Sequence, residues 1–259
     1  RRQRKMCIRD RNLPCEIGEI DVIFHIAAQA GIDLSWTKDF TTYIQYNVIA
    51  TKHLLDYART VKVKKFIYAS SSSVYGEQKK LPIKENAICR PVSPYGMTKL
   101  SGENLCFAYF HNFKLPVVML RYFSVYGPRQ RPDMVFHRFI KNILENKPIE
   151  LHGDGNQTRD FTYVDDIVEC TLKAMEFGQP GKAYNVGGGS NVSLNYVLEV
   201  LRELLGEFEI IRKPEPPGRP RHTLADITCA KRELGYSPKA NLKNGLKAEI
   251  DWIKSIYNL

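Results

Sequence analysis

The sequence predicts an α/β fold in which helices cover both faces of a doubly wound parallel sheet. Three short apolar runs have the length and composition of buried strands, at residues 21–28 (DVIFHIAA), 66–70 (FIYAS) and 116–123 (PVVMLRYF). A helical segment at 164–177 precedes a fourth such run at 182–189. Apolar strands that alternate with helices are typical of a parallel sheet, because strands buried on both faces carry few polar residues.

Two further helices are predicted between the first three strands. One spans about residues 36–59 and is largely polar. The other spans residues 93–112, with Ser93 as the N-cap and Pro94 at the first helical position. These helices connect strands that run in the same direction, as a parallel sheet requires.

The C-terminal part of the chain has a different character. An amphipathic helix at residues 191–206 is followed by a Pro-rich loop at 213–222, a short helix near 230–234 and a last helix at about 242–257. This pattern predicts a smaller C-terminal α/β cap on the main sheet.

Composition narrows the class of protein. The chain has 259 residues, of which 43% are hydrophobic, so it can bury a real core. No apolar run approaches the roughly 20 residues of a membrane helix, which predicts a soluble, cytoplasmic protein without a membrane partner. The six cysteines are irregularly spaced without a C-x-x-C pair, so we expect reduced thiols and no metal site.

The net charge of +10 does not by itself indicate nucleic-acid binding. Residues 1–11 carry six basic residues and one acidic residue, which is half of that net charge. We interpret residues 1–11 as a basic arm that lies outside the fold. The rest of the chain is mildly basic and lacks a nucleic-acid-binding motif, which favours an anionic small molecule as the ligand.

Polar residues close three of the predicted strands. The serine run 70–73 ends the second strand, and the segments HIAAQAG (25–31) and RYFSVYG (121–127) end the first and third. Parallel sheets bind their ligands at the carboxyl ends of the strands. We therefore expect these segments to converge on one ligand-binding cleft.

Tyr95 and Lys99 lie four residues apart at the start of a predicted helix, and therefore on one face of it. A free tyrosine has a pKa of about 10, and a nearby ammonium group lowers it. With a serine hydroxyl from the run 70–73, the pair predicts a proton-transfer site for an alcohol or sugar hydroxyl. A lone Y-x-x-x-K pair is common in helices, so this prediction depends on the strand-end motifs beside it.

Seven motifs occur in the order of a known family. They are HIAAQAG, YNV with Asn47, YASSSSVYG, SPYGMTKLSGE, LRYFSVYGPRQRPD, GDGNQTRDFTYVDD and LADITCAKRELGY. In sequence and order they resemble the extended short-chain dehydrogenases/reductases, and among these the NAD-dependent nucleotide-sugar epimerases and dehydratases. The resemblance runs from about residue 21 to the end and implies a Rossmann-type sheet with NAD as cofactor.

One motif of that family has no counterpart in this sequence. The family begins with a strand and a G-x-x-G-x-x-G turn that receives the cofactor pyrophosphate. The glycines at 187–189 come too late and have another spacing. We therefore expect the chain to be N-terminally truncated relative to the family, with its first strands missing, and to bind NAD poorly or not at all by itself.

The resemblance assigns roles to individual residues. Tyr95 would be the base, Lys99 its activator, and Ser71 the hydroxyl that bonds the reacting oxygen. The implied NAD-binding residues are Ile26, Ala27, Ala28, Gln29, Ala30, Asn47, Ser70, Tyr95, Lys99, Tyr122 and Phe123. The implied substrate-binding residues are Ser72, Ser73, Ser124, Arg131, Phe136, Leu151, His152, Arg159 and Arg219. Arg159 would bind the substrate diphosphate, and the alternative is an ordinary salt bridge from Arg159 to Asp160 or Asp165.

The two residues after Ser71 bear on the reaction that the resemblance implies. The 4,6-dehydratases of the family carry Asp-Glu there, and the 4-keto-acid decarboxylases carry Glu in the second position, whereas this chain has Ser72 and Ser73. The missing proton relay favours 4-epimerisation through a 4-keto sugar. The alternatives are a 4,6-dehydratase, a decarboxylase, and an inactive protein that binds NAD or a nucleotide sugar.

The sugar is predicted from Ser124. Hexose 4-epimerases of the family carry Asn in that position, and Ser124 followed by YGPRQRPDM is more similar to UDP-glucuronate 4-epimerases. Ser72, Ser73 and Arg131 would bind the C6 carboxylate, although Arg131 can also be read as a solvated loop charge. UDP-glucose remains the alternative substrate. Near the Pro-rich loop Pro216 and Arg219 replace the usual Arg and Asp, so the identity of a second diphosphate ligand stays open.

The resemblance also predicts a domain division and an assembly. A truncated NAD-binding domain would comprise residues 12–124 and 160–190, and a nucleotide-sugar-binding region would comprise 125–159 and 191–259. The helices predicted at 36–59 and 93–112 would form the interface of a homodimer.

Overall fold

The centre of the fold is a four-stranded parallel sheet in the order β1-β2-β3-β8. The computed structural model describes residues 20–37 and 40–259. The strands are β1 (Val22–His25), β2 (Lys65–Ser71), β3 (Val117–Tyr122), β4 (Ser124–Tyr126), β5 (Ile149–His152), β6 (Thr158–Arg159), β7 (Phe161–Tyr163), β8 (Lys182–Val186), β9 (Val192–Ser193) and β10 (Ile210–Lys213). The register pairs Ile23 with Phe66, Ile67 with Val118, and Leu120 with Tyr184.

Seven helices of the described residues connect and cover these strands. Helix α1 is a continuous run of Phe40–Tyr43, a π-helical stretch at Ile44–Ile49, and Ala50–Val61. The others are α2 (Pro94–Phe113), α3 (Val135–Leu144), α4 (Val164–Phe177), α5 (Leu194–Leu205), α6 (Thr228–Leu234) and α7 (Leu242–Tyr257). Single 3-10 turns form at Asp33–Trp36 and Ser72–Val74.

The sheet is buried on both faces. Alternate residues of β2 point to opposite sides: Phe66 and Tyr68 pack with α1 and α2, and Ile67 packs with α4 and α6. Such two-sided burial explains why the central strands are almost uniformly apolar. A separate apolar cluster joins α3, α5 and α7 to strand β5. The α/β fold with a parallel sheet and a smaller C-terminal α/β part is therefore as predicted.

Several predicted elements are confirmed at the residue level. The Ser93 hydroxyl accepts a hydrogen bond from the Gly96 amide at 3.1 Å, as an N-cap does, and Pro94 opens the helix. Helix α4 has the predicted bounds. The first helix differs, because residues 33–36 form a 3-10 turn and α1 begins at Phe40. Helix α3 and the short strands β4, β5, β6, β7, β9 and β10 were not predicted.

The expectations about membrane helices, metal sites and cysteines can be compared with the structure only for residues 20–37 and 40–259. No helix in these ranges has both the length and the apolar character needed to cross a bilayer. Across the same residues, His, Cys, Asp and Glu side chains do not gather into a group that would suit a metal ion. The four described cysteines are free thiols. Cys7, Cys15 and the basic arm at 1–11 lie outside the described residues.

Candidate active site

The carboxyl ends of β1, β2 and β3 meet the N-terminus of helix α2. Ser71 is the last residue of β2, and its hydroxyl caps the following turn by accepting a hydrogen bond from the Ser73 amide at 3.1 Å. A Cβ on Gly96 would lie 2.5 Å from the Ser73 carbonyl oxygen. Only glycine at position 96 therefore allows the serine turn to approach the first turn of α2, where Tyr95 lies.

This approach brings the predicted catalytic hydroxyls together. The Ser71 hydroxyl lies near enough to the Tyr95 phenol to lower its pKa. The Tyr95 ring also contacts the ring of Tyr43, with centroids 6.3 Å apart in an edge-to-face arrangement. The Ser71 and Tyr95 hydroxyls thus lie together at the mouth of the cleft, and their catalytic role stays a prediction.

The pKa of Tyr95 differs from the prediction. Desolvation by the surrounding protein raises the pKa of the Tyr95 phenol above its usual value. The nearby Ser71 hydroxyl and the positive charge of Arg131 lower this pKa in part, and the ionisable phenol group of Tyr43 raises it. Lys99 is not among the groups that shift this pKa, and burial outweighs the lowering by Ser71 and Arg131.

Lys99 lies one helical turn after Tyr95 and is only 3% exposed. Burial lowers the pKa of its ammonium group to about 8, and the neighbouring Cys106 and Glu103 oppose this effect. In the part of the chain that the structure describes, the ammonium group makes no hydrogen bond or ion pair. A buried cation without such a partner is suited to bind hydroxyl groups of a ligand.

Asn47 organises the loop that follows β1. Its side-chain amide accepts a hydrogen bond from the Gln29 amide at 2.8 Å and donates one to the Gln29 carbonyl at 2.9 Å. It also donates to the Thr98 hydroxyl at 2.9 Å. Asn47 is 1% exposed. It therefore fixes the position of the loop relative to α2, and its side chain is not free to contact a ligand.

Two further side chains hold the same loop. The Tyr43 hydroxyl donates to the Gly31 carbonyl at 2.8 Å, and Arg131 donates to the Ala30 carbonyl at 3.3 Å. Gly31 adopts a φ of +112°, which a residue with a Cβ rarely adopts. Residues 26–28 are left exposed. Their small and apolar side chains offer a surface on which a nucleotide can lie.

Ser70 belongs to a buried polar network. Its hydroxyl donates to the Glu103 carboxylate, which also receives two hydrogen bonds from Arg121 at 2.9 and 2.7 Å. Arg121 continues to the Tyr75 hydroxyl at 2.8 Å, and Tyr75 donates to Asn185 at 2.6 Å. The Glu103 charge raises the pKa of Arg121, against the effect of its burial. Ser70 is thus engaged in the core and does not offer its hydroxyl to NAD, contrary to the prediction.

Tyr122 and Phe123 also point away from the predicted role. The Tyr122 hydroxyl pairs with the Thr171 hydroxyl at 2.7 Å, which fixes it against helix α4. Phe123 is 2% exposed and packs on the ring of Tyr75. Both side chains pack in the same apolar cluster, because the strand ends at Tyr122 and the alternation of faces does not continue to Phe123.

Three predicted substrate-binding serines have free hydroxyls. Ser72, Ser73 and Ser124 are partly exposed, and their hydroxyls have no hydrogen-bond partner among the described residues. Arg131 has a partner, since its guanidinium group forms two hydrogen bonds with Asp133, at 3.0 and 2.7 Å. The three serines can therefore donate hydrogen bonds to a ligand, whereas the charge of Arg131 is already paired with Asp133.

Arg159 is a half-buried cation without a carboxylate partner in residues 20–37 and 40–259. Its guanidinium group donates to the Thr158 carbonyl at 2.8 Å and the Arg221 carbonyl at 3.0 Å. Burial and the positive charge of Arg219 lower its pKa to about 10. The alternative of a salt bridge to Asp160 is wrong, because Asp160 accepts main-chain amides of Gly188 and Ala225.

Arg219 and His152 have protein partners. Arg219 forms an ion pair with Asp33 at 2.5 Å, which joins the Pro-rich loop to the segment after β1. Arg221 pairs with Asp154 at 2.7 Å. The His152 ring bonds the Pro214 carbonyl at 3.0 Å. Arg219 lies close enough to Arg159 to lower its pKa, and Asp33 compensates the charge of Arg219 itself.

Phe136 and Leu151 are core residues. Both are 0% exposed and belong to the apolar cluster of α3, α5, α7 and β5. They offer no surface to a ligand, although the prediction required them to line the cleft. Their apolar neighbours explain the difference, since the amphipathic helix α3 directs Phe136 inward.

The match to a protein family comes from comparison with known proteins. Residues 6–187 match the model of the NAD dependent epimerase/dehydratase family. The chain belongs to this family. Family, fold class, enzyme class and NAD as the cofactor are therefore as predicted.

Individual relatives cover most of the chain. It is 43% identical over 242 residues to an uncharacterized UDP-glucose epimerase, YtcB of Bacillus subtilis, covering 92% of this chain and 76% of the relative. It is 38% identical over 246 residues to the UDP-glucuronate 4-epimerase of Thermodesulfobacterium geofontis, covering 92% and 74%. The UDP-glucuronic acid 4-epimerase of Bacillus cereus, solved in complex with UDP-glucuronic acid and NAD, has 47% identity and a TM-score of 0.90, covering 92% and 76%.

Proposed function

We propose that this family member catalyses the 4-epimerisation of UDP-glucuronate to UDP-galacturonate. The observation that carries the proposal is the hydroxyl pair of Ser71 and Tyr95, followed by two serines whose hydroxyls have no protein partner. The pair supports proton transfer, and the two serines support recognition of a carboxylate without an acid or base for elimination. The relatives that act on UDP-glucuronate agree with this assignment.

The residues that would hold NAD fit the group. Residues 26–28 offer exposed apolar surface, and the buried Lys99 ammonium lacks a hydrogen-bonding partner among the described residues. When bound there, NAD supplies the acceptance and return of hydride at C4 of the sugar. Asn47, Tyr43 and Arg131 contribute by fixing the loop that carries this surface.

Tyr95 moves the proton of the reaction. Its phenolate oxygen accepts the proton of the sugar 4-hydroxyl, and Ser71 donates a hydrogen bond to the same sugar oxygen. After the 4-keto sugar has rotated so that its opposite face lies toward the nicotinamide site, Tyr95 returns the proton to O4. Because burial raises the pKa of Tyr95, the phenolate depends on nearby positive charge, and Arg131 supplies part of it.

The residues beside Ser71 disfavour the competing reactions. Elimination of water needs an acid and a base near the sugar, and positions 72 and 73 carry only hydroxyls. The nearby Glu103 is engaged by two hydrogen bonds from Arg121 in the core. The 4-keto sugar is therefore reduced again rather than dehydrated.

Two groups of residues support an anionic substrate. The free hydroxyls of Ser72, Ser73 and Ser124 can donate to the C6 carboxylate, with Arg131 nearby. Arg159, a half-buried cation without a carboxylate partner among the described residues, suits the diphosphate. UDP-glucose is the second candidate, because Asp133 already engages Arg131 and neutral hydroxyls also suit a hydroxymethyl group.

Product analysis tests the proposal. The protein, extended by the N-terminal strand and G-x-x-G-x-x-G turn of its family, is incubated with NAD and either UDP-glucuronate or UDP-glucose, and products are identified by NMR, with Tyr95→Phe as the inactive control. UDP-galacturonate from the acid supports the proposal. UDP-galactose as the sole product would mean that the protein is a UDP-glucose 4-epimerase. A UDP-pentose with release of CO₂ would contradict the inference that serine at position 73 excludes decarboxylation.

We also propose that the protein forms a homodimer through α1 and α2. Phe107 and Phe113 on α2 are 52% and 49% exposed, which is unusual for such large apolar side chains. Light scattering after gel filtration tests this, with Phe107→Glu as the variant. A monomer in the unmodified protein would contradict it.

A further inference from the structure

The ammonium group of Lys99 rests on the face of an aromatic ring. Its nitrogen lies 4.7 Å from the ring centroid of Tyr68. Among the described residues it has neither a hydrogen bond nor an ion pair, although Lys99 is 3% exposed. A ring face within about 6 Å attracts a cation, and more strongly when water is excluded. Tyr68 is therefore the group that compensates the burial of this cation by direct contact.

Helix α2 and strand β2 are built to hold this ring. Tyr68 is 1% exposed, and its hydroxyl donates to the main-chain carbonyl of Lys99 itself at 3.3 Å. A Cβ on Gly102 would lie 2.0 Å from the Tyr68 hydroxyl oxygen. Glycine at position 102 allows the Tyr68 ring to pack directly against helix α2. The same side chain can therefore contact both the main chain and the ammonium group of Lys99.

The other side of the Tyr68 ring faces His25. The two ring centroids are 5.6 Å apart, and a His25 ring nitrogen is paired with the Thr51 hydroxyl at 2.8 Å. Burial, with a smaller contribution from Lys99, lowers the pKa of His25 to about 3. His25 is therefore neutral near pH 7, and no second cation competes with Lys99 for the ring.

The remaining ionisable groups near Lys99 lie on its own helix. Burial raises the pKa of the Cys106 thiol, so this group is neutral, and Glu103 is paired with Arg121. Burial also raises the pKa of Tyr68, which keeps its hydroxyl protonated. The ring of Tyr68 thus acts on Lys99 through its π face and carries no charge.

We propose that Tyr68 is a positioning residue whose ring face holds the Lys99 ammonium group in place one turn after Tyr95. The relevance of this contact to catalysis rests on the proposed function. The contact itself does not, since it involves only protein groups.

A fluorinated ring series tests the contact with little change in shape. Phenylalanine and its mono-, di- and trifluoro analogues are incorporated at position 68, because fluorine withdraws electron density from the ring face stepwise. The pKa of Lys99 is measured by NMR on protein with ¹³C-labelled lysine, with Lys99→Arg to assign the signal. Tyr68→Phe serves as the reference because it keeps the face and removes only the hydroxyl.

The proposal predicts that the pKa of Lys99 falls stepwise along the series, by about one unit in total, or tenfold in the protonation equilibrium. The same analogues at Phe66, a buried residue on the same face of β2, are the matched control and leave the pKa unchanged. A Lys99 pKa that stays constant through the trifluoro analogue would overturn the proposal.

Kinetics separates this proposal from the proposed function. If the protein is an epimerase, the pH profile of kcat moves with the pKa of Lys99 along the series. A Lys99 pKa that responds to fluorination in a protein without epimerase activity would support the contact and refute the function. A purely structural role of Tyr68 would change stability but leave the Lys99 pKa unmoved.

Discussion

The side-chain amide of Asn47 pairs with both main-chain groups of Gln29, at 2.8 and 2.9 Å. Such two-point pairing substitutes for the partner that a strand would provide and fixes the main chain of the loop after β1. The third bond of Asn47, to Thr98, ties the same loop to the helix that carries Tyr95 and Lys99. The predicted cofactor surface and the predicted catalytic helix are therefore joined through one buried side chain.

Removal of the Asn47 amide is expected to weaken NAD binding. In Asn47→Ala the two main-chain groups of Gln29 lose their partner, at about 1 kcal/mol for each hydrogen bond. We expect the Kd for NAD to rise by about tenfold or more in calorimetric titration. Thr98→Val removes the third bond of Asn47 and the bond from the Thr98 hydroxyl to the Tyr95 carbonyl, but leaves the pairing with Gln29 intact, and should have a smaller effect on this Kd. An unchanged Kd in Asn47→Ala would show that the pairing does not organise the NAD surface.

The sequence predicted those parts of the fold that depend on local pattern. The central strands are buried on both faces, so their apolar runs are unmistakable, and Ser93 with Pro94 marks the start of α2 by its own capping chemistry. Tyr95 and Lys99 share a face because helical periodicity requires it. The Ser71–Tyr95 contact follows from the meeting of strand end and helix start.

Features that depend on tertiary contacts were missed. The network of Glu103, Arg121 and Tyr75 joins residues far apart in the sequence, and it occupies the hydroxyl of Ser70. The high pKa of Tyr95 reflects desolvation, which the spacing of charged residues along a chain does not reveal. Helix α3 carried a usable signal, since Phe136, Phe139, Ile140 and Ile143 follow helical periodicity, and recognising it would have assigned Phe136 to the core.

The serines after Ser71 are expected to determine the preference for an acidic sugar. The double variant Ser72→Ala with Ser73→Ala removes two hydroxyls that have no protein partner in the described structure. Hydrogen bonds to a charged group contribute about 1.5–3 kcal/mol each, so KM for UDP-glucuronate should rise by roughly 10–100-fold for each of the two hydroxyls that bonds the carboxylate. KM for UDP-glucose should change less. Equal effects on both substrates would contradict the role in recognising a carboxylate.

Arg159 is expected to favour UDP binding while lowering the stability of the ligand-free protein. In Arg159→Met the half-buried cation is replaced by an apolar side chain, which should stabilise the ligand-free protein by at most about 1 kcal/mol, because two hydrogen bonds to main-chain carbonyls are lost as well. The Kd for UDP should rise by roughly 10–100-fold at the same time, because the charge that faces the diphosphate is lost. Thermal melts and calorimetry measure the two effects. Arg138→Met, which removes an exposed cation paired with Glu150, is the control and should change neither. A destabilised Arg159→Met protein would contradict the account.

Glu249 should make stability depend on pH. It is 0% exposed, one of its oxygens has no partner, and burial raises its pKa to about 8. Between pH 4.5, the usual pKa of glutamate, and pH 8, the folded state keeps Glu249 protonated whereas the unfolded state loses this proton. The free energy of unfolding therefore falls as the pH rises through this range. Glu249→Gln removes this loss and keeps the acceptor for the Gly127 amide.

The difference in Tm between Glu249→Gln and the unmodified protein should therefore be more positive at pH 9 than at pH 5. The corresponding change in the free energy of unfolding is about 4 kcal/mol. Differential scanning fluorimetry across this range measures it. A difference in Tm that is independent of pH would mean that Glu249 ionises in the folded protein as it does in water.

The central claim is that Ser71, Tyr95 and Lys99 serve an epimerisation in which C4 of the sugar loses and regains its own hydrogen. UDP-glucuronate labelled with deuterium at C4 tests this most directly, with the protein and NAD in ordinary water and the product followed by NMR. We predict UDP-galacturonate that retains the deuterium at C4, and no product from Tyr95→Phe. Loss of the label to solvent, or a UDP-pentose in place of UDP-galacturonate, would contradict the account.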